Sequence, residues 1–432
     1  MRILYYFERN YEMKIKKNAL RLAAAIILTV TMTLSLSSCV LDFEIFEDYL
    51  PDFDVEYNDG FDNNEEQRPD EDDNTTPPVN DEETDFYPGS GEGDISNLSP
   101  MAKTMLSTVT VIAGDGYSAS AGSGVFYSVD RERGDAYVVT NYHVIYSEST
   151  RRVSDKIEIY LYGMELSTYA IPATFVGGSV TYDVALLKIS DSSVIRNSYA
   201  TAVVLGRSED VRVFDRVYAV GNAEGGGLSV TEGIVSVESE SITLTAADGS
   251  MISPRVIRVD AAVNHGNSGG GLYDKNGRLI GIVAAKEVSE DIDNMGYAIH
   301  IDLVDQVVKS ILHYCNGSTV KSIKKPLMGI TITVYVSGLE PDADGEGIHT
   351  VGMVEIIEIA SGSIAEGKLQ VGDVIDYVTI DGVKRDVTDM HHVTEFMMSA
   401  RVGSKVILNV IRGGERVNVV LTITEACMTS VN

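Results

Sequence analysis

The chain has 432 residues, too many for one ordinary domain, and its 44% apolar composition supplies material for more than one core. The net charge of −30 is concentrated: Leu41–Ile95 holds 21 acidic residues and a single basic one, Arg68. No basic patch or stripe runs through the sequence, which argues against nucleic acid as a partner. The three cysteines, Cys39, Cys315 and Cys427, make a poor disulfide framework for this length. A Cys315–Cys427 bridge and two unpaired thiols both remain open. No Cys/His cluster has metal-ligand spacing, and no cofactor or metal is expected.

From Met13 the chain reads "MKIKKNALRLAAAIILTVTMTLSLSSC". Lys14, Lys16, Lys17 and Arg21 precede an apolar run, Leu22–Leu36, and small residues follow. That is the layout of a secretory signal. "LSSC", ending at Cys39, resembles the lipobox of bacterial lipoproteins, which implies cleavage before Cys39 and lipidation of its thiol. Several acyl chains on one residue give stable anchoring, whereas one is marginal. An uncleaved transmembrane anchor is the competing reading, although the apolar run is short of the roughly twenty residues of a full span. Either way the rest of the chain is expected on the extracytoplasmic face of a bacterial cell membrane. Residues 40–97, with "NNEEQRPDEDDNTTPPVNDEET" at their centre, are too charged and proline-rich to bury a core. They are read as an extended, disordered tether.

From about Pro100 short Val-, Ile-, Thr- and Tyr-rich runs alternate with glycine-bearing turns: "SGVFYSV", "AYVVTN", "DKIEIYLY", "DVALLKIS", "RVYAVGN", "VIRVDAAV", "RLIGIVAA". Many short strands with turn signals predict antiparallel barrels or a sandwich. Three residues stand out. His143 ends the run "VVTNYH", Asp183 precedes the strand "VALLKI", and Ser268 sits in "NHGNSGGGL". Singly, each has an ordinary structural explanation. Together, their order is one of the chain orders in which a Ser-His-Asp triad is assembled. A hydroxyl needs a base within hydrogen-bond reach and a third group to orient that base. The glycines then have a purpose, since acyl transfer builds negative charge on a carbonyl oxygen that closely approaching backbone amides must meet.

At these residues the sequence is similar to the chymotrypsin-fold serine proteases in their bacterial HtrA/Deg form. "TNYHVI", "DVALLKI" and "NHGNSGGGL" carry the resemblance, with support from "GSGVFY", "YAVGNAEGGGLSVTEGIVS", "VDAAVN" and "NMGYAIHID". The resemblance implies an all-β protease domain over residues 98–315, two six-stranded antiparallel barrels with the active site between them. In it His143 is the base, Asp183 the orienting acid and Ser268 the nucleophile. Gly266, Asn267 and Ser268 form the oxyanion loop, with the Gly266 and Ser268 amides as donors. Ala262 lies at the base of the specificity pocket and offers no charge, so cleavage after small or medium aliphatic residues is expected. The family's prolines are missing at three places, where His265, Gly271 and Ala223 stand. A looser oxyanion loop is the expected consequence. His265 is too close to Ser268 in sequence to serve as the base across a cleft.

"HIDLVDQVVKSILHY", His300–Tyr314, has apolar residues at helical spacing and predicts a helix closing the protease. Residues 316–325 read as a linker. Residues 326–425, with "GKLQVGDVI" followed by "IDGV", resemble a small α+β PDZ domain of the HtrA type. There Leu327, Met328, Gly329 and Ile330 would form the carboxylate-binding loop, and a helix near Thr388–Ser399 the other wall of a groove for apolar peptide C-termini. The family further implies misfolded or damaged polypeptides as substrates and a homotrimer. A PDZ-based binding protein with weak proteolysis, and a regulatory protease cutting one signalling protein, are the alternatives.

Overall fold

The computed structural model describes residues 95–431, apart from 117–118, 165–168, 285–294, 316, 318, 321 and 342–346. All of them fall within one compact unit, Glu82–Asn432. The leader, Cys39 and most of the acidic tether lie outside the described residues.

Helix α1, Pro100–Ser107, begins with proline in its first turn, and the Ser99 hydroxyl accepts from the Ala102 amide at 3.1 Å. It leads into the first barrel. The strands are β1 (Thr108–Gly114), β2 (Ala119–Asp130), β3 (Asp135–Thr140), β4 (Lys156–Tyr160), β5 (Ile171–Ser179) and β6 (Val184–Ile189). They close antiparallel in the order β1-β2-β3-β6-β5-β4. Bulges at Phe126/Ser128 and Phe175/Gly177 add the local twist that closure needs. Val109, Val111, Phe126, Val138, Ile159 and Leu187 fill the interior. Between β3 and β4 a single turn, α2 (Tyr142–Ile145), carries His143.

The second barrel comprises β7 (Arg216–Gly221), β8 (Ser229–Ser241), β9 (Arg255–Val259), β10 (Gly271–Asp274), β11 (Arg278–Val283) and β12 (Gly296–His300). The order β10-β7-β8-β9-β12-β11 is closed by pairing of β10 with β11, and Val204–Leu205 adds in parallel outside β11. Two six-stranded antiparallel barrels are thus present, as the sequence led us to expect.

Helix α3, Ile301–Tyr314, follows at once. Leu303, Val304, Val307, Val308 and Ile311 form its buried stripe, packed into a core shared with Val125 and Leu186 of the first barrel and Val220, Tyr273 and Ile282 of the second. Each such side chain contributes about 1.5–3 kcal/mol when fully buried. The helix therefore fixes how the two barrels meet.

The C-terminal region is β-rich. β13 (Ile323–Pro326) is followed by β14 (Ile330–Pro341), β15 (Ile348–Ile359), β16 (Val374–Ile380) and β17 (Val383–Asp386). A short helix, α4 (Met390–Thr394), then precedes β18 (Lys405–Arg412), β19 (Glu415–Thr422) and β20 (Met428–Val431). The main sheet runs β14-β15-β16-β18-β19, with β17 paired to β16. Two details differ from the sequence expectation. The stretch read as a linker is packed: Val320 donates its amide to the Val176 carbonyl at 2.8 Å, and β13 pairs with β20. The helix expected near Thr388–Ser399 is one turn of α-helix, followed by a 3-10 turn at Phe396–Ser399. Asp389 caps it by accepting from the His391 amide at 2.9 Å, and β-branched Val393 and Thr394 favour no extension. Cys315 and Cys427 are not joined in a disulfide.

Candidate active site

His143 and Asp183 are brought together by neighbouring strands. β3 ends at Thr140, and α2 turns His143 toward the start of β6, where Asp183 sits at φ +52°. Aspartate is among the few side chains that tolerate this left-handed conformation. The Asn141 side chain holds it by donating Nδ2–H to the Asp183 carbonyl at 2.9 Å. Both carboxylate oxygens are used. Oδ2 lies 2.7 Å from His143 Nδ1, and Oδ1 accepts the His143 amide at 3.0 Å. Asp183 is 6% exposed, so the carboxylate is held dry by these bonds. A carboxylate only accepts, so in the neutral imidazole Nδ1 carries the proton and Nε2 keeps the lone pair.

Ser268 is buried, in the loop before β10, on the second barrel. Gly266 and Gly269 flank it at φ +91° and +84°. Asn267 donates its amide to the Asn264 carbonyl at 3.1 Å, and Gly270 returns a bond to the Asn267 carbonyl at 2.9 Å. The loop reaches the first barrel through β2. A Cβ on Gly122 would meet the Val144 side chain at 2.7 Å and the Ser268 carbonyl at 3.1 Å. Gly122 thus packs between the residue next to His143 and the backbone of Ser268, which brings the two barrels' candidate residues to one cleft. His265 is exposed on the rim of the loop, and His143 is the histidine bonded to Asp183.

Ala262 is exposed, and its carbonyl accepts from the Thr231 hydroxyl at 2.8 Å. The strand that turns past it needs Gly233, since a Cβ there would stand 2.3 Å from the Ala261 amide nitrogen. Gly271, where proline was expected, has a physical reason. A Cβ would lie 2.4–2.6 Å from the Tyr273 ring, which is fully buried with its hydroxyl 3.0 Å from Thr108 Oγ1. The tyrosine fills the space that a larger residue would take. Ala223 opens a 3-10 turn, pinned where the Gly227 amide donates to Asn222 Oδ1 at 2.8 Å.

In the C-terminal region Leu327, Met328 and Gly329 lie directly before the edge strand β14, which Ile330 opens. Met328 is buried, Leu327 is exposed with its amide bonded to the Cys427 carbonyl at 2.8 Å, and Gly329 takes φ +76° against Ser363. A cavity of about 690 Å³ separates this edge from the second barrel, with Val334, Val336, Thr388 and His392 on one side and Arg212 and Arg255 on the other. Beside it Arg255 Nη1 donates to Glu395 Oε2 at 2.8 Å, a pair almost fully buried. His300 is completely buried nearby, and its burial, reinforced by Arg255, holds its pKa well below the ordinary value. Burial, again with Arg255, lowers His392 to about 4. Glu395 is raised by burial, against the opposing pull of Arg255. Among the described residues no group of three or more His, Cys, Asp or Glu side chains could hold a metal ion, and no helix is long and apolar enough to cross a membrane.

Sequence reasoning missed Ser123. It is fully buried on β2 and makes four hydrogen bonds, two to the Ser268 loop at Gly266 and Ser268, one with Asn222 and one with Thr140, and the loop partners are too distant in sequence to be read from it.

Residues 122–282 match the family described as trypsin-like peptidase domain. The chain is 31% identical over 310 residues to Serine protease Do-like HtrA of Bacillus subtilis (strain 168), covering 69% of this chain and 62% of that protein. It is 30% identical over 314 residues to Periplasmic serine endoprotease DegP of Escherichia coli (strain K12), covering 72% and 58%. A solved structure described as HtrA-type protease AlgW with tripeptide aligns at 27% identity and a TM-score of 0.49, covering 75% of this chain and 95% of that one. The chain thus spans about three fifths of the length of these two curated relatives. By the domain that it matches and the relatives that it resembles, the chain carries a trypsin-like peptidase domain over residues 122–282 and is similar to serine proteases of the HtrA/Deg type.

Proposed function

We propose that the chain is an endopeptidase in which Ser268 attacks the scissile carbonyl. His143 Nε2 takes the serine proton and later passes it to the leaving amine. Asp183 holds the imidazole tautomer and stabilises the imidazolium that forms. The Gly266 and Ser268 amides, with Asn267 between them, receive the charge on the carbonyl oxygen, and losing one such donor typically costs about 100- to 1000-fold in turnover. The observation that carries this reading is the 2.7 Å contact of His143 Nδ1 with Asp183 Oδ2, which holds the imidazole in the orientation a general base needs. Ala262 would leave the pocket uncharged, favouring cleavage after Val, Ala or Ile.

The finer features belong to the same proposal. Cys39 would carry the lipid that anchors the chain on the extracytoplasmic face, with residues 40–97 as tether. Residues 326–425 would act as a PDZ domain that takes apolar C-termini onto the β14 edge by strand addition, with Leu327–Ile330 as the carboxylate loop. The exposed Tyr335 and Val336 on that edge suit such a ligand. Substrates would be unfolded or damaged extracytoplasmic proteins, and the protease domains would trimerise.

The test sets the purified full chain beside its Ser268→Ala variant, with an unfolded protein and a fluorophosphonate probe, read by intact mass and cleavage-site mapping. Labelling and cleavage confined to the Ser268 form support the assignment. A folded protein that neither labels nor cuts, even with peptides ending in apolar residues, overturns it in favour of a binding module. Cleavage strictly after Lys or Arg overturns the pocket reading.

A further inference from the structure

We propose that Ser123 is a positioning residue for the reaction at Ser268, clamping from the first barrel the peptide planes that aim the oxyanion amides. This inference rests on the proposed serine mechanism and assigns a role to a side chain that the mechanism leaves out.

The geometry starts from the loop itself. Gly266 sits at φ +91°, where glycine passes between conformations at little cost. A loop built on such a residue does not by itself hold one orientation of the Gly266–Asn267 peptide. Rotation of that peptide changes ψ at Gly266 and φ at Asn267, and so displaces the adjoining peptides that carry the Gly266 and Ser268 amides. Ser123 Oγ donates to the Gly266 carbonyl at 2.7 Å, which opposes that rotation. On the other side of the nucleophile, the Ser123 amide donates to the Ser268 carbonyl at 2.7 Å, and Gly269 donates to the Val283 carbonyl at 2.9 Å. The peptides before Asn267 and after Ser268 are therefore both anchored, with the Ser268 amide between them.

Ser123 is itself held in one state. Its hydroxyl accepts from the Asn222 amide at 2.8 Å. That bond uses a lone pair, so the single hydroxyl proton is directed at Gly266. Its carbonyl accepts from Thr140 Oγ1 at 2.7 Å, at the end of the strand that leads to His143. The side chain is fully buried, so water does not compete for these bonds. The packing leaves no slack: a Cβ on Gly269 would stand 2.1 Å from the Ser123 carbonyl oxygen. One residue thus ties the base's strand, the nucleophile's loop and the start of the Asn222 turn together across the two barrels. It also offers a substitute for the rigidity of the absent proline at His265.

The experiment compares the full chain with Ser123→Ala and Ser123→Cys on an internally quenched peptide carrying an aliphatic residue at the cleaved position. For Ser123→Ala we expect kcat to fall by about 10- to 100-fold, below the full loss of an oxyanion donor because the amides remain present but unaimed. KM should stay within about twofold, since ground-state binding does not use the clamp. The inhibition constant of a peptide boronate, which mimics the tetrahedral state, should weaken by the same factor as kcat/KM. Ser123→Cys, a weak donor of similar size, should fall between the two. A Ser123→Ala protein that melts cooperatively and keeps kcat within twofold overturns the inference, as does a boronate affinity unchanged while kcat falls. If Ser123→Ala does not fold, Ser123→Cys decides alone: wild-type kcat overturns the clamp, and a lowered kcat at constant KM supports it. Failure of the wild-type chain to cut or label is a different result, which overturns the serine mechanism itself.

Discussion

Replacing Asp183 by asparagine isolates the orienting group with little disturbance of the backbone. Asparagine is isosteric and, like aspartate, tolerates the φ of +52° found here. The Asp183 carbonyl bond to Asn141 is untouched by the exchange. The carboxylate, however, meets two N–H groups of His143, the main-chain amide at 3.0 Å and Nδ1 at 2.7 Å. Asparagine has one acceptor oxygen for these two donors. If its oxygen faces the main-chain amide, its NH2 faces Nδ1, and the imidazole must move its proton to Nε2. The base then has no lone pair for the Ser268 hydroxyl. If it flips, two donors meet at the main chain and α2 is disturbed. Either arrangement removes the productive tautomer. The expected loss in kcat is about 10⁴-fold, or about 5.4 kcal/mol in the barrier, far above the roughly 1 kcal/mol of an ordinary hydrogen bond. The assay is kcat on an internally quenched peptide near neutral pH, normalised to folded protein by thermal melting. A folded Asp183→Asn enzyme within tenfold of wild type would show that Asp183 does not orient the base.

Three further outcomes follow from the packing. Glu395→Ala should lower stability by about 3–5 kcal/mol, because Arg255 is left charged and buried, and the double change Arg255→Met with Glu395→Leu should recover most of it; urea unfolding measures both, and an unchanged midpoint for Glu395→Ala refutes the pair's role. Burial lowers His300 and His392 below the ordinary histidine value, so the unfolded chain binds more protons as the medium is acidified. Their contribution is present above about pH 6.5 and is lost as pH falls toward 4; the thermal midpoint should drop across that window, and His392→Asn should flatten the drop, whereas an identical pH profile for the variant counts against it. Gly271→Pro, which restores the family's residue, should destabilise by about 3 kcal/mol or more by removing an amide within β10 and striking the Tyr273 ring; a rise in the melting midpoint would refute the packing argument.

What was readable in the sequence divides along physical lines. An antiparallel barrel or sandwich follows from short β-rich runs set between glycine-bearing turns, a local property of each segment, whereas two six-stranded barrels came from the family resemblance. The pairing of His143 with Asp183 follows because each sits at the end or the start of such a strand, next to residue types that the chemistry requires. The buried stripe of α3 follows from helical spacing over a long enough run. The helix near Thr388–Ser399 was implied by the resemblance alone, and α4 is shorter, capped by Asp389 and ending at the β-branched Val393 and Thr394. What stayed hidden is what depends on contacts across more than a hundred residues. Nothing near Ser123 announces that its hydroxyl meets Gly266, 143 positions away. The same holds for Arg255 and Glu395, separated by 140.

The departures from the family pattern make the same point from the other side. A glycine in place of proline at residue 271 reads in isolation as lost rigidity. In the fold it is the residue that admits the Tyr273 ring, and that ring is anchored on Thr108 at the entrance to the first barrel. Rigidity at this loop is therefore supplied by contacts from a distant strand and not by the local backbone. Ser123 fits the same design: it holds the second barrel's loop from the first, as Thr108 of the first barrel holds the Tyr273 hydroxyl. A catalytic loop stiffened in this way depends on how the barrels meet, and α3, which fixes that meeting, is continuous through β13 with the C-terminal region.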